Sequence, residues 1–148
     1  MAKAFKFELQ DVLDFRNFEQ EQAQNELAKA LAVETQINNQ LQNIAAQFVS
    51  VRKQIDSFSD FEDIAAGNRR KVLLESQKEE LLNQLAQAKL VTEEKRAVLA
   101  QAMKKTTVLE KLKEKQLEDW KEEEDRKEAE MIDDLANARV NNGKQSLR

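Results

Sequence analysis

The chain has 148 residues, 35% of them charged, with two glycines, no proline, cysteine, histidine or tyrosine, and a net charge of −4. Proline costs about 3 kcal/mol in a helix interior and glycine about 1, so their scarcity fits long unbroken helices around a narrow two-helix seam. Both signs of charge are interspersed, unlike the basic face of a nucleic-acid binder, and no thiol or imidazole is present for zinc binding or a catalytic triad. The start, Met1-Ala2-Lys3-Ala4-Phe5-Lys6-Phe7, is basic without an apolar core region, and Glu8 and Asp11 follow, so it does not read as a secretory signal. No apolar run approaches the roughly 18 residues of a membrane span, and the chain is expected to be soluble.

Residues 5–18 carry Phe5, Phe7, Leu9, Val12, Leu13, Phe15 and Phe18. Phe15 and Phe18 lie off the Leu9/Leu13 line, so the segment holds more apolar groups than one seam uses. They either pad one end of a helical pair or form an exposed patch for a partner.

Residues 27–58 carry the clearest pattern. Steps of three and four give Leu27, Ala30, Glu34, Ile37, Leu41, Ile44, Phe48, Val51, Ile55 and Phe58, with Glu34 the one polar member. Such steps keep residues on one stripe and are the signature of coiled-coil packing. The spacing predicts a first helix over about 7–56, a rod of roughly 75 Å at 1.5 Å per residue.

A break is expected over about 57–68. Ser59 followed by Glu62 matches a capping box, and Gly67-Asn68 reads as a stop. Arg69-Arg70-Lys71 would then sit unfavourably at a helix N-terminus, so a start near Asp60 with a kink at Gly67 is the alternative to a start at 69.

The helical pattern returns through Leu74 and Leu81, then Leu85, Ala88, Thr92, Lys95, Leu99, Ala102, Thr106 and Leu109, for a second helix to about residue 140. An antiparallel hairpin would pair the Phe48 region with 74–81 and the Leu27 region with 98–102. The all-α fold class expected is therefore a long antiparallel two-helix coiled coil, one domain over 1–140 with a disordered tail at 141–148.

Residues 110–134 are mostly charged, with Glu122/Arg126 and Glu123/Lys127 in the favourable i to i+4 order. Trp120 falls at a seam position among polar neighbours, so core packing and partner contact both stay open. Paired carboxylates on a solvated helix lack the divergent environments of acid–base catalysis, and neither glycine belongs to a phosphate-cradling loop. No enzyme activity, metal or cofactor is expected.

The two ends resemble the flagellar FliJ family. The residues are Phe5-Lys6-Phe7-Glu8-Leu9-Gln10-Asp11-Val12-Leu13-Asp14-Phe15-Arg16 with Ala23, Glu26-Leu27-Ala28 and Ala30, then Leu109-Glu110-Lys111-Leu112-Lys113-Glu114-Lys115, Trp120 and Asp133-Asp134-Leu135-Ala136. The resemblance spans almost the whole chain, although 36–47 and 57–68 carry no distinctive motif. It implies a component of the flagellar type III export apparatus, similar in fold to the central stalk subunit of rotary ATP synthases. Such a protein docks into the export ATPase ring and promotes its assembly. It also contacts the export gate, a membrane protein, and handles empty substrate chaperones. The implied location is cytoplasmic, at the inner face of the cell membrane by the flagellar base, with membrane association only through partners.

Mapped onto this chain, the resemblance gives Phe5, Phe7, Leu9, Leu13, Leu117, Trp120, Met131 and Leu135 as candidates for the ATPase contact. Gln40, Ile44, Phe48, Val51, Leu74 and Leu81 are the candidates for the gate. The free chain is expected to be a monomer. The alternatives are a structural coiled coil that dimerises through the same seams, or a stalk-like subunit lacking the α/β domain of a true stalk.

Overall fold

In a computed structural model, residues 4–146 are described, with side chains as far as 143. An irregular segment, residues 4–9, leads into α1 (Gln10–Ser57, 48 residues), and three residues later α2 runs over Phe61–Ser146, 86 residues. The two helices pack as an antiparallel hairpin, as the seam spacing predicts, and no strand occurs among the described residues.

The connection is shorter than the 57–68 expected, and its chemistry explains why. The Ser57 hydroxyl donates to the Gln54 carbonyl at 2.7 Å and the Phe58 N–H to Ile55 at 3.1 Å, which satisfies carbonyls left open at the end of α1. Asp60 then starts α2. Its carbonyl accepts from Ile64 N–H at 3.1 Å and its carboxylate from Glu62 N–H at 3.2 Å. The cap is therefore Asp60 rather than a Ser59–Glu62 box, because with Asp60 at the N-cap Glu62 falls one position short of the box. Glu62 and Asp63 add favourable charge to the first turn.

Gly67 does not stop the helix, for its φ is not positive and α2 runs straight through it. Arg69, Arg70 and Lys71 lie inside the helix and never meet a helix N-terminus. At the other end α2 continues to Ser146, so 141–146 are helical where a disordered tail was expected; residues 147 and 148 lie outside the described residues.

The chain divides into two compact units, one of Glu19–Met103 and one combining residues up to Phe18 with those from Lys104 onward. In the first, α1 buries Ala23, Ala30, Ile37, Ile44 and Val51, one residue in seven, against Leu74, Ala88, Thr92 and Ala102 of α2. Every member of the 27–58 stripe is buried or half-buried, Glu34 included. Ile44, Val51 and Leu74 form the densest cluster, with Phe48, Ile55 and Leu81 packed on it. Small Ala and Thr elsewhere in the seam hold the backbones close.

Two polar ties fix the register of that unit. Thr92 Oγ1 donates to Glu34 Oε2 at 2.5 Å, and Lys95 pairs with Glu26 at 3.9 Å. The Thr92 hydroxyl also lies 3.0 Å from the Ala88 carbonyl of its own helix, so its single proton has a second acceptor.

Candidate partner-binding surfaces

In the unit that joins the N-terminal segment to the C-terminal part of α2, Leu13 and Phe7 are buried and Phe5, Leu117 and Trp120 half-buried. The rings of Phe5 and Trp120 are 6.0 Å apart and tilted by 55°. Thr106 Oγ1 donates to the Arg16 carbonyl at 3.3 Å, and Lys113 Nζ to Gln10 Oε1 at 2.7 Å. Those contacts tie the first turns of α1 to α2 with the same antiparallel sense.

Past Trp120 the burial ceases. Among residues 121–143 only Glu124 is as much as half-buried, while Met131 (65%), Ile132, Leu135 (62%) and Val140 are exposed. Salt bridges along the helix surface cover this stretch. Arg126 reaches Glu123 at 2.5 Å and Glu130 at 2.6 Å, and Lys127 lies 3.9 Å from Glu124. The pairs expected from spacing, Glu122/Arg126 and Glu123/Lys127, give way to these. Hydrogen bonding from Arg126, then its charge and that of Lys127, hold the Glu123 carboxyl below the usual carboxylate range, and Glu123 in turn raises Arg126.

The eight ATPase-contact candidates thus divide. Phe7 and Leu13 serve the hairpin interior, Phe5 and Trp120 pack together at its margin with Leu117 half-buried, and Leu9, Met131 and Leu135 face solvent. Phe15 and Phe18 are both more than half exposed, and the Arg16 guanidinium lies 5.9 Å from the Phe15 ring centroid. The N-terminal phenylalanines therefore divide: Phe5 and Phe7 pad the pair, whereas Phe15 and Phe18 are exposed.

The gate candidates lie together in the Glu19–Met103 unit. Ile44, Val51 and Leu74 are core, Phe48 and Leu81 half-buried, and Gln40 exposed. A groove of about 630 Å³ opens there, lined by Leu41, Ile44, Phe48 and Leu82 with the charged Arg52, Lys71, Glu75 and Lys78. A second groove gathers Gln40, Asn43, Gln77, Glu80 and Gln84 around Ile44 and Leu81. Apart from Gln40, the charged and amide members were missed in the sequence because each belongs to an ordinary solvated helix face; only the register between helices assembles them. Phe61, 81% exposed in the first turn of α2, was missed because it falls in the 57–68 stretch expected as a break.

No described helix is long and apolar enough to cross a membrane, and no cluster of described acidic side chains could hold a metal ion. No curated protein and no solved structure matches the chain. The family model described as flagellar FliJ protein matches residues 5–145, which cover the N-terminal segment, both helices and both grooves. The chain therefore belongs to the flagellar FliJ protein family and is a flagellar export-related protein.

Proposed function

We propose that this chain is a non-enzymatic adaptor of flagellar protein export. It binds the export ATPase, promotes assembly of the ATPase ring and links it to the export gate, and it receives empty substrate chaperones. It works at the inner face of the cell membrane by the flagellar base, held there by its partners. The observation that carries the reading is the family match over residues 5–145, joined to two separate surfaces with different chemistry.

The ATPase contact is assigned to the exposed apolar groups of the unit formed by the chain's ends, Leu9, Met131 and Leu135, with Phe15 and Phe18 beside them in sequence. The gate contact is assigned to the grooves beside Phe48 and Leu81, where Gln40 and Phe48 are accessible and Ile44 lines both, with Val51 and Leu74 in the core cluster that holds Ile44. The charged, exposed surface of residues 121–130 suits a component that must enter and leave a ring without sticking.

The test is ATP hydrolysis by the cognate export ATPase with increasing amounts of this chain. Stimulation that saturates once each ring holds a chain, and is lost in the Met131→Ala/Leu135→Ala variant at unchanged helicity, is the expected result. No stimulation and no co-migration with the ring would sink the adaptor reading.

A further inference from the structure

Residues 5–8 are an irregular strap with a regular alternation. Phe5 and Phe7 turn inward, Phe7 to 5% exposure, while Lys6 and Glu8 between and after them face solvent. Alternation of this kind is what an extended segment presents when one side lies on a surface. The surface is α2 near Trp120, whose ring meets Phe5 at 6.0 Å.

The hold is made of rings. The strap's own backbone bond closes locally, from Gln10 N–H to the Phe7 carbonyl at 3.1 Å. Among the described residues, the first polar tie to α2 comes at Gln10, through Lys113 at 2.7 Å, where α1 has already begun. A segment of a few residues must give up backbone freedom to lie there, and two phenylalanines, one of them only half-buried, offset that loss. An element this short, with no ladder of hydrogen bonds to α2 among the described residues, opens at lower free energy than the paired helices.

What the strap covers matters more. Leu117, Trp120, Glu124, Met131 and Leu135 are separated by steps of three, four, seven and four, which keeps them on one face of α2. Met131 and Leu135 lie open on that face, whereas Trp120 lies beneath Phe5. A partner helix following the stripe from Leu135 through Met131 meets the strap at Trp120.

We infer that residues 5–8 are a latch: they occupy the Trp120 part of the α2 stripe and are displaced by a partner helix that docks on Met131 and Leu135. The inference rests on the proposed ATPase contact, the export ATPase supplying the displacing helix. Closed, the latch shortens the exposed stripe; open, it adds Trp120 to the docking face.

Trp120 is the only tryptophan in the chain, so its emission reports the latch directly. Phe5→Ala/Phe7→Ala should red-shift that emission and raise its quenching by acrylamide while far-UV helicity stays constant, because the strap is not helical. Phe5→Ala alone, which leaves the buried ring in place, should give a smaller shift of the same sign. In urea, native Trp120 emission should shift before ellipticity falls. The double variant should also bind the export ATPase several-fold more tightly than the native chain. Emission unchanged by the substitutions, coincident urea transitions, or binding no tighter than native would each overturn the latch. If the native chain does not bind the ATPase at all, the adaptor reading falls, and emission and urea unfolding decide the latch by themselves.

Discussion

Ile55 occupies the place a side chain on residue 67 would need. A Cβ built on Gly67 would lie 2.5 Å from Ile55 Cγ1 and 2.9 Å from Cδ1, with a Phe58 ring carbon at 3.9 Å. Cγ1 is bonded to the Ile55 Cβ, so it cannot swing clear as a chain end can. Alanine gains about 1 kcal/mol over glycine in an open helix. Forcing a methyl into a filled space costs about 1–3 kcal/mol, so Gly67→Ala is expected to lower stability by about 1 kcal/mol in urea unfolding. A stabilised variant would show that α1 has room to move away. The same change at Gly143 meets nothing within 4 Å and carries no such penalty.

Gly67 also shows where sequence pattern stops being informative. Glycine can end a helix or admit a neighbouring one, and the choice depends on φ and on what packs opposite. Glu34 is the contrasting case, since its place in the seam follows from counting threes and fours. That Thr92 would be the residue to receive it follows only from the register between the helices.

At the scale of the element, α1 is legible because its stripe is nearly all large and apolar, and the stripe fixes which face is buried. In α2 the seam is partly Ala, Thr and Lys, so the burial of Ala88, Thr92, Ala102 and Thr106 is a consequence of pairing with α1. The charged part of α2 was legible as a helix but not in its pairing. Arg126 has carboxylates at three and four residues on the N-terminal side and four on the C-terminal side, and it takes Glu123 and Glu130.

That choice has a measurable consequence. The hydrogen bond from Arg126 favours the charged form of Glu123, so its folded-state pKa is depressed. The pair therefore supports the helix above the unfolded-state pKa and loses its contribution as pH falls through the folded one. Followed by NMR of the side-chain carboxyl, Glu123 should titrate at lower pH in the native chain than in Arg126→Gln. Full solvent exposure keeps the stabilisation small, and added salt should narrow the gap between the two titrations. Equal midpoints would mean that the pair does not persist in solution.

For the whole molecule, the decisive point is that the seam residues find their partners within one chain. Ile44, Val51 and Leu74 are buried by each other and by Phe48, Ile55 and Leu81. The three-residue connection, held by Ser57, Phe58 and Asp60, reverses the chain tightly enough to bring those residues together. A structural coiled coil pairing between chains would have to open this turn and give up that burial before gaining anything from a second copy. The free protein should accordingly scatter light as a monomer, with an unfolding midpoint that does not move with protein concentration. A dimer held through the same seam would tie folding to association, and its midpoint would rise with concentration. That rise would reassign the seams to an intermolecular role and turn the exposed Met131 and Leu135 into flanks of a self-assembled rod. A constant midpoint leaves those residues open in the free chain, as an adaptor that must meet other proteins requires.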